Sequence, residues 1–150
     1  MWALAALCAF AQAPDPLALQ ARAEGGDIQA QFDLGFLYGQ GAGVEQNASL
    51  AKTWWLKAAE SGHGGAQTNL GVLLLSEGNG SGAFYWLRQA ADQNGSLAKC
   101  HLAELYATGT GTQKNLLTAK TLALEGFTAG AKRCQSIWYL YGLEQVKAAE

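Results

Sequence analysis

Two Ser-x-x-Lys tetrads, Ser49-Leu50-Ala51-Lys52 and Ser96-Leu97-Ala98-Lys99, have the residue types and spacing of a nucleophile with its base. On one helical turn a serine can lose its proton to a lysine three residues on. Serine β-lactamases and penicillin-binding proteins use that arrangement for acyl transfer. The same chemistry needs Ser-Asp-Asn and Lys-Thr-Gly segments, and neither occurs in this chain. Both serines stand where a helical pattern begins, so they read as helix-start residues.

The other reactive groups are sparse. Glycine clusters (Gly39, Gly41, Gly43; Gly78, Gly80, Gly82) follow helix-like stretches and lack the Gly-Lys-Ser/Thr ending of a phosphate loop, so they read as turns. His63 and His101 are too few and too far apart for a zinc centre, and no H-E-x-x-H or C-x-x-C is present. His63, within Ser-Gly-His-Gly-Gly, reads as an exposed turn residue. Asn47, Asn79 and Asn94 head N-x-S sequons, all in turns where asparagine is favoured locally. No carboxylates are arranged as an acid–base couple, and no metal or cofactor is expected.

Composition narrows the field further. The 150 residues carry a net charge of −2, and charged residues are 15% of the chain. The ten Lys and Arg are scattered, so no basic stripe for nucleic acid is expected. Residues 1–13 hold an apolar block, Trp2–Phe10, with small residues at Ala9 and Ala11, the shape of a secretory leader cleaved after Ala11. No Lys or Arg precedes that block, and it is too short to span a bilayer, which needs about 20 apolar residues. Export to a periplasmic or extracellular compartment is the expectation, with a cytoplasmic capping helix as the alternative. No stable membrane insertion is expected.

The elements that position these residues come from an internal repeat. Ala30-Gln31-Phe32-Asp33-Leu34-Gly35-Phe36-Leu37-Tyr38, Ala66-Gln67-Thr68-Asn69-Leu70-Gly71-Val72-Leu73-Leu74 and Ala98-Lys99-Cys100-His101-Leu102-Ala103-Glu104-Leu105-Tyr106 align. Each is followed by Gly-x-Gly (Gly41, Gly78, Gly109) and a second element: Ala51-x-x-Trp54-x-x-x-Ala58-Ala59, Ala83-x-x-Trp86-x-x-x-Ala90-Ala91, Ala119-x-x-Leu122-x-x-x-Gly126. Ala30, Leu34, Leu37 and Tyr38 share one helical face, and Ala51, Trp54 and Ala58 share the facing one. Bulky residues alternate with Ala or Gly, which permits close antiparallel packing. Gly35 and Gly71 each cost about 1 kcal/mol relative to Ala inside a helix, so near contact of helix backbones is expected there. Asn47 and Ser81 read as N-caps of second helices. Most aromatics fall on framework positions, whereas Phe32, Phe36 and Trp55 are expected to be partly exposed.

This pattern resembles the Sel1-like repeat, a relative of the tetratricopeptide repeat. The first unit carries Gly41, Gly43, Val44, Trp54, Ala58, Ala59 and Gly62 in place; the third has Leu122 for Trp and Gly126 for Ala. The resemblance implies an all-α fold, an α/α solenoid of three helix-turn-helix repeats over 28–62, 64–95 and 96–130 within a domain spanning 14–150. A helix near Leu17–Glu24 and another over 131–149 would cap it. It also implies a non-enzymatic adaptor that binds a peptide or partner protein along its first helices. The exposed positions there are Phe32, Asp33 and Phe36, then Thr68, Asn69 and Val72, then Cys100, His101 and Glu104. Some cysteine-rich members of the family have been described as β-lactam-binding or hydrolysing. Their cysteine pair in every repeat is missing here, so that alternative is disfavoured. Cys100 and Cys134 sit at nearly equivalent positions of adjacent repeats. Neighbouring helix axes lie about 8–10 Å apart, while a disulfide needs Cα atoms within about 7 Å. A disulfide and two separately buried thiols both remain open.

Overall fold

The computed structural model describes residues 15–146; the expected leader, 1–13, lies outside them. Eight α-helices follow one another: α1 Pro16–Glu24, α2 Ile28–Gln40, α3 Ala48–Glu60, α4 Gly64–Ser76, α5 Gly80–Asp92, α6 Ser96–Thr108, α7 Leu116–Thr128 and α8 Arg133–Leu140. A 3₁₀ turn, Leu143–Gln145, closes the series. There is no strand among the described residues. Pairs α2/α3, α4/α5 and α6/α7 pack antiparallel, and each second helix also packs on the first helix of the next pair. The first helices touch one another little, because the second helices fill the space between them from behind.

Local chemistry sets the boundaries. Asp15, Asp27, Asn47, His63, Asn79 and Asn115 each accept a first-turn backbone N–H and so satisfy an otherwise orphaned donor. Two sequence expectations change here. Asn79, not Ser81, caps α5, its side chain accepting from Gly82 N–H, because the shorter second turn starts that helix earlier. His63 is not a free turn residue: its Nδ1 accepts from Ala66 N–H, and its ring stacks on Phe32 with centroids 4.4 Å apart. Gly41 and Gly109 end α2 and α6 at φ 69° and 82°, left-handed backbone that glycine adopts without strain.

Each helix pair is held by a knob in a socket. Trp55 is buried, contrary to the expected partial exposure, because its indole lies flat against Gly35 and Gly39. A Cβ on Gly35 would come within 2.4 Å of Trp55 Cδ1. Leu87 seats on Gly71 in the same way, at 2.6 Å. A seated side chain, rather than touching backbones, therefore explains the helical glycines. In the third repeat the knob shrinks to Ala123 and the socket residue grows to Ala103, both buried in one cluster. The Ala-Gln pair that opens the first two repeats also has a purpose. Gln31 Nε2 donates to Ala23 O and Gln67 Nε2 to Ala59 O, each at 3.1 Å, which ties the end of one repeat to the next.

The C-terminal end differs from the expected helix over 131–149. α8 stops at Leu140, Gly142 turns the chain at φ 58°, and Leu143 tucks under α7 and α8 in the cluster with Ile137. Cys100 and Cys134 form a disulfide, Cα–Cα 4.8 Å, binding α8 to α6. Gly126 stands where the first two repeats have Ala58 and Ala90 because a Cβ there would lie 2.3 Å from Cys134 Sγ. Cys100 thus faces α8 and is lost from the exposed positions expected of the first helices.

Two outcomes follow from this packing. Gly71→Ala overfills the Leu87 socket and lowers stability by about 1–3 kcal/mol. In a Leu87→Ala background the same change raises stability by up to about 1 kcal/mol, read by denaturant unfolding of the four chains. Cys134→Ala lowers stability by about 2–4 kcal/mol, and peptide mapping of denatured, unreduced protein finds Cys100 and Cys134 joined.

Candidate functional site

Because the first helices stand apart, a groove runs across α2, α4 and α6. One part of it, about 390 Å³, is lined by Phe36, Val72, Leu97, His101 and the Trp55 indole. An adjoining hollow of about 370 Å³ lies between Phe32 and the N-terminal turns of α4 and α6. The two share Thr68, Asn69 and Leu97, so they form one continuous surface.

Repeat equivalence arranges this surface in rows. Three residues after each anchor alanine stand Asp33, Asn69 and His101; six residues after it stand Phe36, Val72 and Glu104. One residue before it stand Gln29, Gly65 and Leu97, a row absent from the residues expected from sequence. Leu97 was legible as its third member and is 46% exposed. Phe36, at 48%, and Val72, at 39%, are large apolar groups facing solvent. Phe32 is half-buried against His63, and Thr68 is buried with its hydroxyl donating to Gly64 O. Asp33 lies at the α1 edge of the face, where its carboxylate accepts from Gln29 Nε2.

The α6 end is more closed. Glu104 accepts from Arg133 Nη2 at 3.0 Å, so its charge is met by α8 and is not free for a ligand. His101 is buried, lines the groove and makes no side-chain hydrogen bond within the described residues. Burial above all, then the positive Arg133 nearby, pushes its pKa below the ordinary 6.5, with Glu104 opposing weakly. The imidazole is therefore held neutral. α6 is also the only helix of the three without a side-chain N-cap, so its first-turn N–H groups open toward the hollow.

The lysines of the two Ser-x-x-Lys tetrads are engaged elsewhere. Lys52 bonds Glu77, and Lys99 bonds Glu125 on α7 at 2.9 Å, so each ammonium is engaged away from its serine. No group of three metal-ligating side chains occurs among the described residues, and none of their helices is long and apolar enough to cross a membrane. A separate apolar cleft of about 180 Å³ lies between α7 and α8, beside Leu124, Phe127, Trp138 and Tyr139.

Antiparallel helix pairs stacked into a sheetless array, with a groove along the first helices, define an α/α repeat solenoid. The chain belongs to the Sel1 repeat family, whose sequence model matches residues 28–63, 65–95 and 96–125. It is 31% identical over 80 residues to a Sel1-like repeat-containing protein of Acanthamoeba polyphaga mimivirus, covering 53% of this chain and 15% of that one. A protein of Neisseria meningitidis serogroup B is 30% identical over 116 residues, 75% of this chain and 25% of that one. The chain thus spans a quarter or less of these relatives. A Sel1 repeat protein from Oxalobacter formigenes superposes with TM-score 0.69 at 30% identity, over 80% of this chain and 93% of that one. So does c5321, a protective antigen of uropathogenic Escherichia coli strains, with TM-score 0.81 at 29% identity, over 89% of this chain and 30% of that one.

The buried neutral His101 sets a pH dependence. The unfolded chain binds a proton near the ordinary 6.5 while the folded chain resists it, so stability is full above that pH and falls as acid is added below it. His101→Gln flattens the loss just below pH 6.5, measured by urea unfolding across that range. The loss below pH 3.8, where the Asp27 cap and its pairing to Arg22 are protonated away, is unchanged.

Proposed function

We propose that this chain is a non-enzymatic adaptor that binds a peptide or partner protein in the groove across α2, α4 and α6. The observation that carries this reading is the exposure of Phe36, Val72 and Leu97 along one continuous groove. Core requirements do not explain them, since the buried face of each helix is already filled by Ala, Leu and the knobs Trp55 and Leu87. Contiguous exposed apolar surface rimmed by polar groups is what recognition of another chain uses. Sel1 repeats typically form such interaction modules, which supports the same reading.

The absence of a basic stripe argues against nucleic acid as the partner. The Cys100–Cys134 bond supports an oxidising compartment, and with the apolar, small-residue pattern of residues 1–13 it favours export.

The test is affinity capture from the native compartment with the oxidised chain and two variants. Phe36→Ala loses the captured protein, with a melting temperature within about 2 °C of the parent, because truncating an exposed residue costs little stability. Tyr85→Ala, on the second helix α5, outside the groove lining and 54% exposed, keeps it. Capture that survives Phe36→Ala and fails with Tyr85→Ala contradicts the proposal.

A further inference from the structure

The groove also specifies the kind of segment it takes, an inference that rests on the binding reading above. We propose that it holds a short peptide in extended conformation, with an apolar side chain in the pocket between Phe36 and His101 and a basic residue toward Asp33.

Three observations point to an extended backbone. The row Asp33, Asn69, His101 repeats one polar group per first helix, with Asn69 and His101 beside the apolar Phe36, Val72 and Leu97 in the groove and Asp33 at its edge. Asn69 and His101 make no side-chain hydrogen bond within the described residues, and His101 is only 8% exposed. A helical ligand, whose backbone groups are paired internally, would cover these groups and leave them unmatched, at real desolvation cost. An extended segment brings free N–H and C=O groups at a rise of about 3.3 Å per residue. Held apart by the second helices, the first helices then meet such a ligand at separate points along its length. The uncapped N–H groups at the start of α6 add donors at the same end as His101.

Charge sets the direction. Of the charged groups on this face, Glu104 is already paired with Arg133. Asp33 is met only by the neutral amide of Gln29. Of these two carboxylates Asp33 is therefore the one without an ionic partner among the described residues, which suits a cation beside it and an uncharged stretch toward α6.

A phage-displayed random 12-residue library, selected on the oxidised full chain, tests this directly. The expected peptides share one large apolar residue with Lys or Arg on one side of it, and Val72→Arg abolishes their binding. Asn69→Leu, which keeps volume and removes the amide, weakens the best synthetic peptide about tenfold, and Asp33→Asn weakens it severalfold. Single N-methylation beside the apolar residue of that peptide, which removes a backbone donor, impairs binding. Peptides blocked by Val72→Arg but carrying apolar residues at helical spacing, no basic residue, or no sensitivity to Asn69→Leu would overturn the extended-segment inference and leave groove binding intact. Peptides unaffected by Val72→Arg, or no selected peptide at all, would overturn the groove reading itself.

Discussion

One contact recurs in every repeat and sets the distance between its helices: a side chain of the second helix seated on a small residue of the first. Trp55 on Gly35, Leu87 on Gly71 and Ala123 with Ala103 are the same contact at three sizes. The two bulky knobs meet glycine and the smallest, Ala123, meets the one socket residue that carries a side chain, so close packing is kept while the chemistry of each repeat changes. A helical glycine costs about 1 kcal/mol against alanine, which is small beside the burial of an indole or isobutyl group. Gly126 obeys the same logic at the C-terminal end, where the seated group is the Cys100–Cys134 disulfide.

The groove is a consequence of this arrangement. Knobs enter from the second helices, so the first helices are held from behind and remain apart from one another. Their outward rows carry less of the core packing, and they vary from Phe32 and Phe36 through Thr68, Asn69 and Val72 to His101 and Glu104. A rigid scaffold with a variable face suits recognition, in which binding cost falls when the site is already formed. The α8 cap limits the face at one end, because Arg133 neutralises Glu104 and the disulfide withdraws Cys100.

Most of the fold was legible in the sequence because the repeat carries it. Anchor alanines, leucines at helical spacing and Gly-x-Gly turns mark the six repeat helices with little reference to tertiary context. What escaped had a tertiary cause. Trp55 is off the strict framework, yet the glycine that accepts it lies 20 residues earlier on another helix. His63 resembles a turn residue until Phe32 of the preceding repeat stacks on it. The C-terminal helix breaks at Gly142 because Leu143 must turn inward to close the last cluster. Of the nine first-helix positions expected from sequence, Phe32, Phe36, Thr68, Asn69, Val72 and His101 line one groove, and Cys100 is withdrawn into the disulfide. Asp33 sits at its edge, and Glu104 is occupied by Arg133, which stands on the non-repeat α8 where sequence equivalence gives no guidance.

Site-specific photocrosslinking in the native compartment tests the central claim most directly. A photoreactive phenylalanine replaces Val72 in the groove or Tyr85 on α5, outside the groove lining. The account predicts a discrete crosslinked partner from position 72 and none from position 85. The same partner captured from position 85 alone would contradict it.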